Sequence, residues 1–405
     1  MEATLPPPST SLLLRQKNPL SLKSAHDFFP HLCYTDIDHF TRQEMSRMQD
    51  EKRWKYDLET YLRQGEPEKA EKSTAWQTAI GLQAVDGLTT SDYLLETAKE
   101  HIEGHIDMPA AKQRIQSYYE AQASRQSAEA DTMEADLVSV RIAELLSEKT
   151  FQFSPAELQN IHRRLFTDIF AHAGTLRDYN ITKKEWVLNG DTVTYASFLS
   201  IRDTLDYDFA QEKRFNYTGI SVTEAVRHIA RFTSGIWQIH PFCEGNTRTT
   251  AVFIILYLKT FGFQVKNDVF ADNSWFFRNA LVRANFNDLQ KGIHATPLYL
   301  EQFFENLLLD AHHELKNRRT HVDFSGPAQS AMAPVSKCQN GTLDCTLEEL
   351  AVLRLIADDP KITQKALAAG IGKSERTAKR LTVSLQEKGR IRRVNGRRSG
   401  TWELL

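Results

Sequence analysis

The chain has 405 residues and a formal net charge of −2 at pH 7, with 41% hydrophobic and 25% charged residues. This composition is ordinary for a soluble globular protein of two or three domains, and the near-neutral charge favours no class of partner. The longest apolar run, 251–258, is too short to span a bilayer, so we expect no membrane segment. Four scattered cysteines argue against a disulfide scaffold, and no secretory signal pattern opens the chain, which favours the cytoplasm.

The N-terminal part of the chain divides into an extension and a helical segment. Residues 1–70 mix prolines, charges and aromatic residues, which predicts a partly helical extension of unassigned function. Two helices are predicted between residues 74 and 122, and Ser91 is an N-cap candidate for the first of them. Asp107 is positioned to cap the second, with Pro109 in its first turn, where proline is tolerated.

The region that follows, to about residue 316, has mainly helical periodicity. Ser154, followed by a proline and an acid, predicts the start of one helix. Ser221 and Glu224 have the spacing of a capping box, and they predict the start of a helix that ends near Ile239. The fold class predicted from these patterns is mainly α.

One segment interrupts the helical pattern. Residues 185–195 place β-branched and aromatic residues on both sides of Asn189-Gly190, a pair that readily adopts the positive φ angles of a tight turn. We therefore predict a short β-hairpin here. A lone hairpin is marginally stable, so it must pack on the helices or serve a purpose.

The loop after Ile239 concentrates chemically useful residues. Pro241 stops the helix, which fixes His240 at the helix end, and Gly245 permits a sharp turn before the next helix. The start of that helix offers unpaired N–H donors and the positive end of a dipole, an arrangement that binds anions. The run of residues concerned is His240-Pro-Phe-Cys-Glu-Gly-Asn-Thr-Arg248.

Two charged residues sharpen the prediction of an anion site. Arg248 in the first helical turn opposes the helix dipole unless the helix end also holds an anion that the guanidinium grips. Glu244 would repel bound phosphates unless a cation bridges them, which suggests Mg²⁺. The alternative is a polar helix–loop–helix in which His240 caps the helix and Glu244 pairs with Arg248 in solvent. The concentration of these residues in one loop favours the site.

The loop resembles the signature of the Fic (Fido) family, H-P-F-x-(D/E)-G-N-G-R-x-x-R, and the likeness extends over about residues 132–316. Ala173-Gly174-x-x-Arg177 before the predicted hairpin resembles the family's lead into its flap, and residues 277–284 resemble its late helix near the nucleotide base. The resemblance implies a Fic helical core with a β-hairpin flap. It also implies an adenylyltransferase that moves AMP from ATP to a Ser, Thr or Tyr hydroxyl of a protein target, with self-modification included.

The resemblance also implies a role for each matching residue. His240 would be the general base and Glu244 would hold Mg²⁺ on the phosphates. The flap would pair with the backbone of the target protein. The residues implied to contact the nucleotide are Gly245, Asn246, Thr247, Arg248 and Phe277, and those implied to form the flap tip are Leu188, Asn189 and Gly190.

Two positions depart from the family pattern. Thr247 stands where the pattern has its second glycine, and Ala251 stands where it has its second arginine. These departures keep two alternatives open. One is a Fic relative that transfers another phosphate-containing group, and the other is a DNA-binding regulator whose Fic core senses a nucleotide without turnover.

A candidate inhibitory segment precedes the Fic-like region. Residues 84–88 and the helices after them resemble the small antitoxin partners of some Fic toxins, fused here at the N-terminus. Asp86 would take the place of the family's inhibitory glutamate and Leu82 that of its Ser/Thr. Because Ala251 cannot act as the cationic partner, we expect a weak or altered inhibition. The alternative is a purely structural pair of helices.

The C-terminal residues predict a winged helix-turn-helix. A short helix at 363–369, a turn at 370–372, a second helix from about 375 to 388 and strands at 391–394 and 401–404 follow in order. From Lys361 onward twelve Lys and Arg oppose three Glu, a net +9 suited to phosphate contact. A basic docking or dimerisation module is the alternative, and a palindromic DNA site would require a homodimer. The candidate DNA-contacting residues are Lys373, Arg376, Lys379, Arg380, Arg397 and Arg398.

These patterns predict five regions in the chain. They are, in order, an N-terminal extension (1–70), an antitoxin-like helical segment (71–125), a Fic catalytic domain (126–325), a linker (326–345) and a winged helix-turn-helix (346–405).

Overall fold

The computed structural model describes residues 58–62, 66–122, 130–263, 269–324, 345–394 and 400–405. The regular secondary structure of these residues is helical apart from one two-stranded antiparallel sheet near the C-terminus, as the predicted fold class requires. In the described part of the chain, no helix has both the length and the apolar character needed to cross a bilayer.

Among the described residues, four α-helices follow one another between residues 67 and 147. The predicted caps are confirmed: Ser91 Oγ accepts a hydrogen bond from the N–H of Leu94 at 3.1 Å, and Asp107 Oδ1 accepts one from Ala110 at 2.9 Å. The helices are α1 (Pro67–Gly81), α2 (Asp92–Glu103), α3 (Met108–Gln122) and α4 (Ala130–Ser147). α1 packs on α4, and α3 packs against both α2 and α4.

A 3₁₀ turn at Leu82–Asp86 joins α1 to α2 and carries the candidate inhibitory acid. Leu82 and Val85 are fully buried, so they anchor the turn, whereas Asp86 at its end is exposed. Gly87 follows with a φ of 72°, a left-handed conformation that glycine adopts without strain. The turn therefore presents its terminal carboxylate at the surface of a fixed backbone.

Seven α-helices form the described part of the central domain. The capping box at Ser221 and Glu224 is confirmed, and the helix it begins ends at Ile239 as predicted. The next helix, which carries the motif residues, is buried over almost its whole length. The helices are α5 (Pro155–Phe166), α6 (Ile201–Arg214), α7 (Val222–Ile239), α8 (Asn246–Lys259), α9 (Val269–Ala284), α10 (Leu298–Leu309) and α11 (Asn317–Thr320).

The predicted flap keeps its turn but not its strands. Asn189 and Gly190 have φ angles of 58° and 86°, and the N–H of Asp191 donates to Leu188 O at 3.1 Å, which makes a tight turn as predicted. The residues before it, Trp186–Leu188, form a 3₁₀ turn instead of a strand. Adjacent residues of a strand point to opposite faces, so a hairpin that packed one face on the helices would expose one of Val187 and Leu188, whereas both are buried.

The C-terminal module has the predicted helix–turn–helix and wing. Ser374 caps the second helix, and the two strands pair antiparallel with Ile391 opposite Leu404. Its small core includes Val352, Leu385 and Trp402. The elements are α12 (Leu347–Asp358), α13 (Gln364–Gly370), α14 (Glu375–Glu387), β1 (Ile391–Val394) and β2 (Thr401–Leu404).

This module packs directly on the central domain. The N–H of Val222 donates to Cys345 O at 2.9 Å, and the Arg354 guanidinium lies 5.5 Å from the centre of the Phe263 ring. A methyl group added to Gly262 would lie 3.0 Å from the Ile371 backbone, so glycine allows a close approach there. The predicted linker lies outside the described residues except for Cys345, and the domain boundaries stay predictions.

Candidate active site

The backbone of His240 is held in an unusual conformation at the C-terminal end of α7. Its φ of 50° and ψ of 60° are left-handed, and its N–H donates to Trp237 O at 3.0 Å. The buried guanidinium of Arg177 donates to His240 O at 2.8 Å and to Ile239 O at 3.2 Å. Pro241 follows and cannot continue the helix. Arg177 therefore fixes the point at which the chain leaves α7.

The His240 side chain is buried and has no polar partner. Only 3% of the residue is exposed, its ring centre lies 4.2 Å from that of Tyr195, and neither ring nitrogen has a hydrogen-bond partner among the described residues. Burial, and then the positive charge of Lys183, lowers the pKa of His240 well below its usual value. The imidazole is therefore neutral at neutral pH, with a lone pair available to accept a proton.

Gly245 and Asn246 give the motif loop its shape. Gly245 has a φ of 73°, and a methyl group at this position would come within 2.3 Å of the Phe166 ring, so only glycine fits. The Asn246 side chain accepts from the N–H of Phe242 at 3.0 Å and donates to its carbonyl at 2.8 Å. Asn246, predicted to contact the nucleotide, thus uses its amide to close the loop. Its backbone N–H remains at the start of α8.

Thr247 occupies the position of the family's second glycine without backbone strain. It lies in the first turn of α8 in helical geometry, so no positive φ is required of this β-branched residue. Its hydroxyl accepts a hydrogen bond from Trp237 Nε1 at 3.0 Å. The Trp237 bond orients this hydroxyl and uses one of its acceptor positions, and the O–H proton is left as a donor.

His162 of α5 supports the loop, and no sequence pattern had singled it out. Its ring stacks on Phe242 with centres 3.8 Å apart, Nε2 donates to Glu244 O at 3.0 Å, and Nδ1 accepts the Gly174 N–H at 2.8 Å. Burial lowers the pKa of His162 to about 4. Its neutral form accepts at one nitrogen and donates at the other, so a single tautomer joins two loops.

Arg248 is surrounded by acceptors instead of being free for a ligand. The guanidinium is 2% exposed, with Nε 2.8 Å from Asp86 Oδ2 and Nη2 2.6 Å from Glu134 Oε1. Nη1 donates to Gln83 Oε1 at 3.0 Å, and the group lies 4.8 Å from the centre of the Phe166 ring. Asp86 thus contacts the predicted phosphate-binding arginine. Glu134 and Gln83, which sequence reasoning missed, share that arginine.

Other charges close the opposite side of the site. Lys183 Nζ lies 2.7 Å from Glu244 Oε2, so the predicted metal ligand is paired with a lysine of the flap region. Arg278 of α9 contacts both Glu185 at 3.2 Å and Asp86 at 3.4 Å. Sequence reasoning missed Lys183, Glu185 and Arg278 because they are distant from the motif along the chain.

A cleft of about 490 Å³ lies at the centre of this charge cluster. Glu244 and Arg248 line it, whereas the buried His240 is not among the described residues that line it. The predicted nucleotide-base contact is corrected by the fold: Phe277 is fully buried and its ring packs 4.9 Å from that of Phe303. α9 instead presents Trp275 and Arg278 to the cleft, because residues one and two positions from a core residue point elsewhere on a helix.

The donor set fits a magnesium ion only together with a substrate. Within the ranges that the structure describes, no three His, Cys, Asp or Glu side chains come together as a metal-binding group. Glu244 is half-exposed at the cleft and offers a single carboxylate. Mg²⁺ commonly takes one or two carboxylates and completes its shell with phosphate oxygens and water, so this arrangement fits it.

The basic face of the winged module is open. Arg376, Lys379 and Arg380 are exposed on α14, and Lys373, also exposed, pairs with Glu348 at 3.2 Å. Arg380 lies 4.0 Å from Glu348 and keeps 65% of its side chain exposed. The two remaining candidates, Arg397 and Arg398, lie outside the described residues.

Residues 152–258, which span α5 to α8 and include the motif loop, match the Fic/DOC family model. The chain contains a Fic/DOC domain. Residues 349–392 match a model described as winged helix-turn-helix DNA-binding, so the Fic domain is followed by a winged helix as predicted. A solved structure similar to this chain is that of a Fic family protein from Desulfovibrio desulfuricans G20. It is 14% identical, the match covers 90% of this chain and 97% of that one, and the TM-score is 0.41.

Proposed function

We propose that the Fic domain transfers AMP from ATP to a hydroxyl of a protein target, with His240 as general base. The observation that carries the proposal is the neutral, unpartnered imidazole of His240 beside a glycine-turned loop at the N-terminus of α8. That loop offers backbone N–H donors for phosphate, and Arg248 lies in the first turn of α8. Fic-family proteins are typically transferases, which agrees with this chemistry.

The reaction balances with the residues at hand. The target's hydroxyl oxygen bonds to the α-phosphorus while the bond from that phosphorus to the α,β-bridging oxygen breaks, and pyrophosphate leaves. The hydroxyl proton passes to a ring nitrogen of His240. Donors at the loop and Arg248 stabilise the negative charge that develops on the phosphates. Mg²⁺ held by Glu244 would supply further charge neutralisation on those phosphates.

Access to His240 requires movement of its cover. The Tyr195 ring packs against the imidazole at an interplanar angle of 38°, and Tyr195 Oη lies 3.4 Å from Glu185 Oε1 at the start of the flap. We propose that the target docks at the exposed turn of Asn189 and Gly190, pairing with the backbone of the flap, and displaces Tyr195. Leu188, assigned to the flap tip, is buried and serves as its anchor.

We also propose that Asp86 is an inhibitory residue, because it contacts Arg248. Its carboxylate pairs with Arg248, which would otherwise be available to a phosphate. Ala251, which stands where the family pattern has its second arginine, is fully buried. In this proposal the inhibition acts through Arg248 and is shared with Glu134. Removing Asp86 alone should therefore relieve it only in part.

The test uses purified protein, Mg²⁺, cell lysate and ATP labelled separately at the α- or γ-phosphate. We expect protein labelling from α-labelled ATP alone, and a loss of about 10²- to 10⁴-fold in the His240→Ala variant, the usual contribution of a general base. Asp86→Ala is run in parallel to relieve inhibition. Labelling from the γ-phosphate would instead identify a kinase, and α-label that survives in His240→Ala would refute the proposed base.

If neither label is transferred by wild type or Asp86→Ala, the alternative is a different phosphate-containing donor. A mass shift on the target, measured by mass spectrometry after incubation with other nucleotides, would identify the transferred group. This alternative keeps the same base and the same loop, because both serve any transfer at a phosphorus.

A second proposed function is DNA binding by the winged helix. The exposed basic face of α14 favours it, since phosphate contact requires cations that are free to reach the backbone. In this proposal the protein binds duplex DNA with strong salt dependence, and binding persists in His240→Ala. If binding persists while no group transfer is found, the Fic core acts as a nucleotide sensor in a DNA-binding regulator.

A further inference from the structure

The carboxylate of Asp86 bridges two arginines from different helices. Oδ2 lies 2.8 Å from Nε of Arg248 on α8, and Oδ1 lies 3.4 Å from Nη1 of Arg278 on α9. A small anion that touches two guanidinium groups at once occupies the position that a phosphate group with several oxygens would prefer. The bridge lies at the cleft, since Asp86, Arg248 and Arg278 all line it.

Each arginine is held in place without Asp86. Glu134 and the Gln83 amide contact Arg248, which also lies over the Phe166 ring. Arg278 has an equivalent set: Val85 O accepts from it at 3.0 Å, Glu185 lies 3.2 Å away, and the Trp275 ring centre lies 5.6 Å from its guanidinium. The spacing between the two cations is therefore preformed.

The charges of the cluster show that Asp86 is the replaceable member. Three acids have a cation of their own: Glu134 pairs with Arg248, Glu185 with Arg278 and Glu244 with Lys183. Asp86 is the fourth acid beside these three cations, and it contacts two arginines that are already paired. An anion can therefore take its place without leaving a cation of this cluster unpaired.

The backbone at Asp86 allows this exchange. Val85 and Leu82 hold the 3₁₀ turn in the core, but Asp86 is exposed and nothing lies within 4 Å of a methyl group placed on Gly87. Its side chain can rotate toward solvent while the turn stays packed. Arg278 keeps its bond to Val85 O, because that carbonyl belongs to the anchored part of the turn.

We propose that Arg248 and Arg278 form a two-arginine phosphate clamp, and that Arg278 sets the preference for nucleotides with more than one phosphate. The inference rests on the proposed nucleotide substrate. The N-terminus of α8 takes the phosphate next to the ribose, and the clamp takes a phosphate farther along the chain. Arg278 is a specificity-determining residue that contacts the substrate, and it lies outside the family motif.

Binding of AMP, ADP and ATP with Mg²⁺, measured by isothermal titration calorimetry, tests the clamp. The full-length protein carries His240→Ala and Asp86→Ala, so that the clamp is open and turnover is suppressed. We expect ATP to bind at least about tenfold more tightly than AMP, as charge-assisted contacts to a phosphate provide. When Arg278→Ala is added to this protein, the affinity for ATP should fall about tenfold or more, whereas the affinity for AMP should change by less than about twofold.

Two further variants keep the result interpretable. Arg202→Ala removes an exposed arginine from α6, away from the cleft, and should leave both affinities unchanged. Arg278→Gln keeps most of the side-chain volume, and circular dichroism checks that each variant is folded. An unchanged ratio of ATP to AMP affinity in both Arg278 variants would overturn the clamp, and so would an equal weakening of AMP and ATP.

The clamp and the proposed function fail in distinguishable ways. Arg278-dependent ATP binding by Asp86→Ala, with no AMP transfer when His240 is intact, supports the clamp and refutes the transfer. If AMP is transferred from ATP and the Arg278 variants transfer it as well as the wild type does, the transfer is supported and the clamp is refuted. If the Asp86→Ala protein binds none of the three nucleotides, both are refuted.

Discussion

The motif loop of the Fic domain and the second helix of the winged module both have the sequence of an anion site, but their arginines differ in exposure and in neighbouring acids. In the loop, Arg248 is 2% exposed and is surrounded by Asp86, Glu134 and Gln83. On the winged module, the side chain of Arg380 is 65% exposed, and its nearest acid is 4.0 Å away. One site is closed by the protein's own carboxylates, whereas the other is open to solvent.

This difference shows that the ability of an arginine or lysine to bind an anion depends on the residues that surround it in the folded protein. Buried charges interact strongly because little water screens them, so Arg248 is bound only by a ligand that displaces an acid. Exposed pairs such as Lys373 with Glu348 are weak, so a phosphate would displace Glu348 from Lys373 at little cost. We therefore expect the loop to respond to removal of its acids and the winged module to respond to removal of its bases.

The largest expected effect concerns the shape of the loop. Gly245→Ala combines a φ of 73° with a methyl group 2.3 Å from the Phe166 ring, and we expect it to lower the free energy of unfolding by about 3 kcal/mol. Gly190→Ala is the matched control, because its φ is 86° but nothing lies within 4 Å of the added methyl. The control variant should lose about 1 kcal/mol of unfolding free energy, and urea unfolding measures both losses. Equal losses would show that the Phe166 contact is unimportant.

The next effect tests the open site. Arg376→Glu with Lys379→Glu should weaken duplex DNA binding about 100-fold at 0.1 M salt and reduce the slope of log K against log salt by about 2. Fluorescence anisotropy with labelled DNA measures both quantities. The control is Lys213→Glu with Arg214→Glu, which makes the same charge change at the exposed end of α6. If the control loses as much affinity, net charge and not the face of α14 governs binding.

The smallest effect is a pH dependence set by His162. Burial lowers the pKa of His162 to about 4, whereas the unfolded chain has a value near 6.5, so the unfolded state binds more protons between these values. Stability is therefore lost as the pH falls below 6.5. Relative to His162→Asn, the wild type should lose about 2 kcal/mol of unfolding free energy between pH 7 and pH 5.

Urea unfolding at the two pH values, followed by tryptophan fluorescence, measures this loss. The control variant His312→Asn removes a histidine whose side chain is 82% exposed, and we expect it to lose as much unfolding free energy between the two pH values as the wild type does. If His162→Asn and wild type show the same pH dependence, another group is responsible for acid sensitivity.

Local signals in the sequence predicted much of the secondary structure. Caps at Ser91, Asp107 and Ser154 and the capping box at Ser221 were recognisable because each depends on residues within one helical turn. The wing strands were predicted at their observed bounds for the same reason. The flap strands were not formed, because burial of two adjacent side chains overrode a local preference for β structure.

By itself, the sequence determined the order of the helices, the family of the loop and the basic character of the last domain, since these follow from neighbouring residues. Tertiary structure alone decided that Phe277 lies in the core while Trp275 and Arg278 face the cleft. It also decided that Arg248 meets Glu134, which is 114 positions away along the chain. Such contacts depend on how whole helices pack, and packing is set by the sum of many weak contacts that no local pattern encodes.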